Sequence, residues 1–360
     1  MISFVLPTRN RPDELRRTVE AISGLSIPEA ELIVVDNAST RPADIAGPHG
    51  GLATKRVSLD HNLGAAARNV GAREASHDWL VLLDDDSHPL DTGVLDAIAD
   101  AGPGTGAIAA DTRLPDGTRE RGGLPEVFVG CGAAIRRELF LSLGGYDPSF
   151  GYYAEEYDLC AKLIAGGHRV AFDERFRVLH RKVATGRDFG MILGRLVRNN
   201  GWVIARYAPD AEVQRALNEM LRRYARIAER EGVTESFAEA HSELRETIGS
   251  QTRHPLTQRQ WQRFTGFTAA AGALELHVPA SARTAAIIEP GKNEEQVREA
   301  IARHGLIIVG DKSNADVLVI GTLSPGPMLD ALGRHADDLR VIAPWTRTQR
   351  ATPNRRASAA

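Results

Sequence analysis

A chain of 360 residues, 42% hydrophobic and 25% charged, has room for two or three globular domains, each with its own core. A net charge of −3 is too small to mark a nucleic-acid binder, and no apolar run approaches the ~20 residues that span a bilayer. Strand-like residues begin at Ile2, leaving no room for a signal peptide, and Cys131 and Cys160 have neither disulfide-framework nor zinc-site spacing. A cytoplasmic protein with two small buried cysteines is therefore expected.

Ile2–Leu6 reads as a first strand. Pro12 falls where a first helical residue would, Asp13 and Glu14 complement the helix dipole, and Leu15, Val19 and Ile22 share one face. Glu31–Val35 is a second strand ending at Asp36, at the spacing of a βαβ unit. Lys55–Leu59 alternates as a third strand, and a small-residue helix over Gly64–Ala75 leads to Trp79–Leu83. Those five apolar residues, bounded by breakers, suit a strand buried on both faces. Asp84, Asp85 and Asp86 follow at once. Three adjacent carboxylates repel one another, so the cluster is costly unless it is solvated or shared with a cation. A divalent-metal site and a solvated acidic turn both satisfy the triplet taken alone. In a doubly wound α/β sheet the triplet, Asp36 and Pro7-Thr8-Arg9-Asn10 all face one crevice at the strands' carboxyl ends.

Gly106–Ala110 reads as a short strand, and Val127–Ile135 as another, carrying Gly130-Cys131-Gly132. A helix over Arg137–Leu143 stops at Gly144-Gly145. The aromatic loop Tyr146–Tyr153 runs into Glu155-Glu156-Tyr157-Asp158-Leu159, a helix start where acids complement the dipole whatever else they do. Short strands at Val170–Phe172 and Arg177–Leu179 deliver His180. From Thr185 to Leu274 the pattern is helical, and Arg187, Arg195, Arg198, Arg206, Arg222 and Arg223 read mostly as solvated faces, a minority being free to serve a polyanionic acceptor or a membrane surface. Ala285–Pro344 reads as a small separate α/β domain with a structural, oligomeric or partner-binding role. Its Gly310-Asp-Lys-Ser and Gly321-Thr-Leu-Ser turns fit a phosphate or ordinary βα turns equally. The basic stretch Thr346–Ala360 is expected to be a disordered tail.

Six segments carry a resemblance. They are Val5-Leu-Pro-Thr-Arg-Asn10; Val34-Val-Asp-Asn-Ala-Ser39; Asn62-Leu-Gly64 with Ala67-Arg-Asn-Val-Gly71; Leu82-Leu-Asp-Asp-Asp86 with Pro89; Gly144-Gly-Tyr-Asp147 with Phe150; and Glu155-Glu-Tyr-Asp-Leu159. In this order, over about residues 1–205, the chain resembles the inverting family 2 glycosyltransferases of the GT-A fold. The resemblance implies a doubly wound mixed sheet over 1–205; beyond it the residue pattern alone gives a helical region (206–279) and a small Rossmann-like α/β domain (280–345). It implies transfer of a sugar from a nucleoside diphosphate, UDP or dTDP on family frequency, to a hydroxyl acceptor in glycan, cell-surface polysaccharide or natural-product biosynthesis. The protein would be cytoplasmic or peripheral at a membrane.

Carried over residue by residue, the resemblance makes Asp86 and His180 ligands of a divalent cation, Mn²⁺ or Mg²⁺. Pro7, Thr8, Arg9, Asp36, Asn62, Arg68, Asp84 and Asp85 would form the nucleotide-sugar site, with Asp85 turned away from it. Arg68 also reads as a plain helix-surface arginine, and Asp36 as the cap of its own turn. Glu156 would be the general base where the family usually has aspartate, with Glu155 and Asp158 as rivals. A sugar-nucleotide pyrophosphorylase would need a glycine-rich, lysine-containing loop where Thr8-Arg-Asn-Arg-Pro12 stands. An aspartate-nucleophile phosphohydrolase would need threonine or valine at His88. The remaining rival is a non-catalytic nucleotide-sugar-binding module.

Overall fold

Alternate residues of the first strands face two different helical layers. The computed structural model describes residues 1–45, 49–183 and 188–345. Its first elements are β1 (Ile2–Thr8), α1 (Pro12–Gly24), β2 (Glu31–Asp36), β3 (Ala53–Ser58), α2 (Ala67–Glu74) and β4 (Trp79–Leu82). Strands β3-β2-β1-β4 lie parallel in that order. Phe4, Leu6, Leu32, Val34 and Val81 pack with Leu15, Val19 and Ile22 of α1. On the opposite face Val5, Ile33 and Val35 meet α2 at Gly71, where a Cβ would lie 2.4 Å from Val5 Cγ1. Only glycine lets this helix sit directly on the sheet.

The second half continues through β5 (Ser87–Pro89), α3 (Gly93–Ala99), β6 (Thr105–Arg113), β7 (Ala133–Arg136), α4 (Arg137–Ser142), α5 (Glu155–Ala165) and β8 (Arg169–His180). These complete an eight-stranded sheet of order β3-β2-β1-β4-β7-β6-β8-β5. Strand β7 runs antiparallel to both β4 and β6, so the sheet is mixed, as expected. Two local expectations are corrected. The strand expected over Val127–Ile135 begins only at Ala133, because Gly132 N–H turns back to Val129 O at 3.0 Å. The two short strands before His180 are one, with a register shift where Asp111 pairs with Arg177 after Ala110 has paired with Asp173. That bulge absorbs residues 174–176 and hides the continuity of the strand. Strand β5 and helix α3 were not anticipated; β5 exists because Ser87 pairs with His180 across the sheet.

Packing divides the described chain into two units, residues 1–120 with 126–264, and residues 121–125 with 265 onward. The first includes α6 (Phe189–Tyr207), α7 (Asp210–Glu231), α8 (Thr234–Thr247) and α9 (Gln258–Phe264). The second holds α10 (Phe267–His277), β9 (Thr284–Ile288), α11 (Glu294–Arg303), β10 (Ile307–Ile308), β11 (Val317–Ile320), α12 (Pro325–Arg334) and β12 (Val341–Ile342). The stretch read as a helical region, 206–279, is thus shared between the units. Strands of the second unit run parallel in the order β10-β9-β11-β12. Residues of its two candidate phosphate turns have protein partners: Asp311 accepts from Ser313 N at 2.9 Å, and Ser324 Oγ donates to Gly122 O at 2.6 Å. The tail 346–360, and Thr185 and Arg187, lie outside the described residues.

Two arginines of α6 are structural rather than solvated. Arg198 lies over the Trp202 ring and pairs with Glu243. Arg206 donates to Asp147 at 2.7 Å and to the fully buried Asp158 at 2.9 Å. Asp158 also accepts from Tyr207 Oη at 2.8 Å and lies 2.7 Å from Lys162 Nζ. This network ties α5 to α6. Removing its one buried anion strands the cations around it, so Asp158→Asn is expected to cost about 3 kcal/mol in chemical denaturation.

Candidate active site

The strand order reverses between β1 and β4, and the acidic triplet leaves β4 at that point, where open α/β sheets form their ligand crevice. Each carboxylate has a separate environment. Partly exposed Asp84 pairs with the Arg68 guanidinium, which also donates to Leu83 O at 2.8 Å. Arg68 is buried, so it is not a helix-surface arginine. Burial works against its charge, but Asp84, Tyr146 and Glu155 outweigh that and raise its pKa. Asp85 turns to Thr8 Oγ1 at 2.9 Å and Arg11 Nη1 at 2.6 Å. Burial pushes its carboxyl up to about 7 against the pull of Arg11. Its carbonyl is pinned by Thr18 Oγ1 at 2.7 Å and Arg181 Nη2 at 3.2 Å.

Asp86 accepts from Arg11 Nη2 at 3.1 Å and Val183 N at 3.2 Å, and its Oδ1 lies 3.4 Å from His180 Nε2. Burial would raise its pKa, yet His180, Arg11 and Val183 N hold it well below the usual carboxylate range. His180 Nδ1 lies 2.9 Å from Glu120 Oε2, and Lys182 Nζ donates to Glu120 Oε1 at 2.8 Å. Although burial opposes it, these partners lower Glu120 to about 2. Burial likewise opposes protonation of His180, but Cys131, Asp86 and Glu120 push its pKa well above the ordinary histidine value.

Asp84, Cys131 and His180 each offer a ligand atom, all within 4.8 Å of one another. The structure thus brings His180 together with Asp84, which the resemblance placed on the nucleotide side, as well as with Asp86, whose Oδ1 faces His180 Nε2 while its Oδ2 meets Arg11 and Val183 N. A carboxylate, an imidazole and a sulfur fit a divalent transition metal such as Mn²⁺ better than Mg²⁺, which prefers oxygen ligands alone.

Across the crevice, the start of α5 is presented by a strained turn. Tyr153 and Ala154 have φ of 74° and 65°, a left-handed pair without glycine. Asn199 of α6, fully buried, holds it: Nδ2 donates to the carbonyls of Phe150, Tyr152 and Tyr153 at 3.1, 3.0 and 2.6 Å. From the other side Ala65 N donates to Gly151 O at 2.7 Å. Gly64, at φ +62°, makes this contact possible, since a Cβ there would stand 2.3 Å from the same oxygen. Asn37 Nδ2 in turn donates to Gly64 O at 3.0 Å.

Of the three candidate bases, Asp158 is consumed in the α5–α6 network. Glu155 is buried, with Oε2 unpartnered; burial first, then Glu156, push its pKa well above the usual range. Glu156 is half-buried. Asp36 is buried and caps its own turn, accepting from Ser39 N at 2.9 Å. Asn62 likewise accepts from Gly64 N at 2.9 Å within its turn. Pro7 is buried and Arg9 exposed. Sequence reasoning missed Arg11, Glu120, Asn199 and Arg181, and saw Cys131 only as a small buried residue. Arg11 had a signal, a cation in the turn facing the triplet; Asn199, in the middle of a helix, had none.

The model of the family described as "Glycosyl transferase family 2" matches residues 3–101. The O-antigen biosynthesis protein RfbC of Myxococcus xanthus is 28% identical over 225 residues, 52% of this chain and 18% of that protein. The pre-mycofactocin glycosyltransferase of Mycobacterium tuberculosis is 28% identical over 215 residues, 52% of this chain and 44% of its own length. The chain thus spans less than half the length of either relative. Among solved structures, a mannosyltransferase of Pyrobaculum calidifontis in complex with GDP-Man and Mn²⁺ superposes with a TM-score of 0.50 at 18% identity, covering 84% of this chain and 86% of that one. S. aureus TarS 1–349 in complex with UDP-GlcNAc gives 0.52 at 15% identity, covering 85% and 92%. These two likenesses establish the fold. Among the described residues no helix is long and apolar enough to cross a membrane.

Asn199→Ala strips the strained turn of its donor. The expected cost is ~1–3 kcal/mol in chemical denaturation.

Proposed function

This chain carries a family 2 glycosyltransferase domain of the GT-A fold, and we propose that it transfers a sugar from a nucleoside diphosphate to a hydroxyl acceptor, with inversion and with a divalent cation bound. One observation carries the reading. The buried Arg68 pairs with Asp84 at the end of β4, and its charge also acts on Glu155 at the start of α5, so acids of both motifs respond to one buried cation.

The chemistry follows from that arrangement. A departing nucleoside diphosphate gains negative charge, which Arg68 on one side of Asp84 is placed to stabilise. Asp84, Cys131 and His180 would hold the cation, which would supply Lewis-acid stabilisation to a bound pyrophosphate. Inversion needs a single carboxylate to take the acceptor's proton; Glu156 is half-buried, whereas Glu155 and Asp158 are buried, so Glu156 is the acid proposed for that role. The donor nucleotide is proposed as UDP or dTDP from the family resemblance; the fold relatives, described with GDP-Man and UDP-GlcNAc, support the donor class.

Mass-spectrometric assay of a panel of UDP-, dTDP- and GDP-sugars tests the reading: turnover of a donor is expected, whereas nucleotide binding without turnover would leave only the non-catalytic module. Glu156→Gln is expected to preserve donor affinity and thermal stability while lowering turnover ~100-fold or more. Near-normal turnover would move the base to Glu155.

A further inference from the structure

We infer that the cation of this site is bound through sulfur, with the Cys131 thiolate completing a donor set with Asp84 and His180. The inference rests on the cation dependence proposed above, and it concerns this chain's own choice of ligand.

The three donors come from separate elements: Asp84 leaves β4, Cys131 precedes β7 and His180 ends β8. Their ligand atoms nonetheless lie within 4.8 Å of one another. The chain around Cys131 is built to hold it there. Ser87 Oγ donates to the Cys131 carbonyl at 3.0 Å, and the turn closes through Gly132 N to Val129 O at 3.0 Å. Gly132 permits the close passage, since a Cβ there would meet Thr112 Oγ1 at 2.7 Å.

His180 supplies an independent observation. Its Nδ1 is committed to Glu120, whose other oxygen is held by Lys182, so Nε2, which lies 3.4 Å from Asp86 Oδ1, is the nitrogen on the side of the acids. A carboxylate on the far nitrogen is the arrangement that orients metal-bound histidines and raises their basicity. Glu120 is thus a positioning residue acting through His180.

Coordination would displace the Sγ proton of Cys131 and the Nε2 proton of His180 to solvent, and each atom's freed lone pair would form the bond to the metal. A set of one sulfur, one imidazole and one carboxylate prefers borderline ions. Affinity should rise from Mg²⁺ through Mn²⁺ and Co²⁺ to Zn²⁺, with Mg²⁺ the weakest.

Co²⁺ titration of the full chain, followed by absorption spectroscopy, tests this without any assay of sugar transfer. The wild-type protein is expected to show a near-ultraviolet sulfur-to-cobalt charge-transfer band together with the visible bands of bound Co²⁺. Cys131→Ser should lose the first and keep the second, and Cys160→Ala, at the buried cysteine of α5, should keep both. Glu120→Gln should retain the band at saturation but weaken Co²⁺ binding ~10–100-fold. Visible bands without the charge-transfer band in the wild type would overturn sulfur ligation and leave cation-dependent transfer standing. Absence of any Co²⁺ binding would overturn both. The wild-type titration decides the matter even if Cys131→Ser fails to fold.

Discussion

Three carboxylates in succession at a strand end hold together only because cations from separate parts of the chain meet them. Arg68 of α2 meets Asp84, Arg11 of the β1–α1 turn meets Asp85 and Asp86, and His180 at the end of β8 meets Asp86. At contact distance each like-charge pair costs from about 1 kcal/mol in water to about 4 at the effective dielectric of a protein surface, so leaving the cluster unpaired would tax the whole crevice. The pairing also sorts the three acids. Asp85 and Asp86 are buried, and a ligand atom of partly exposed Asp84 lies within 4.8 Å of those of Cys131 and His180.

The same economy of charge reaches the opposite wall. Arg68 is buried and pairs with Asp84, and its charge also acts on Glu155 at the start of the helix that carries the candidate base. That helix begins from two consecutive left-handed residues, a conformation that costs of order 1–3 kcal/mol for each. Asn199 and the Gly64–Gly151 contact offset the strain with hydrogen bonds drawn from α6 and from the segment before α2. Strain so tightly supported is the pattern expected where a side chain must be held in a set direction.

Much of the fold was legible because its signals are local. The uninterrupted apolar runs of β1, β2 and β4 announced a parallel sheet, and Gly144-Gly145 announced the end of α4. Where the pattern is broken by a tertiary device, legibility failed. The bulge in β8 made one strand read as two, and β5, a three-residue Ser-His-Pro strand, has no strand-like composition of its own. It is a strand only because β8 lies beside it.

The candidate site divides along the same line. By itself the sequence determined which acids end strands and which acids open α5, because strand periodicity and helix-start chemistry are written in consecutive residues. Only the tertiary structure decided what each acid does. Asp158 became an ion-pair anchor, Asp85 the partner of Thr8 and Arg11, and Asp84 the acid beside Cys131 and His180. A carboxylate's role depends on the charges and donors within a few ångströms of it, and here those partners are supplied by elements far away in the chain, where no local pattern records the pairing.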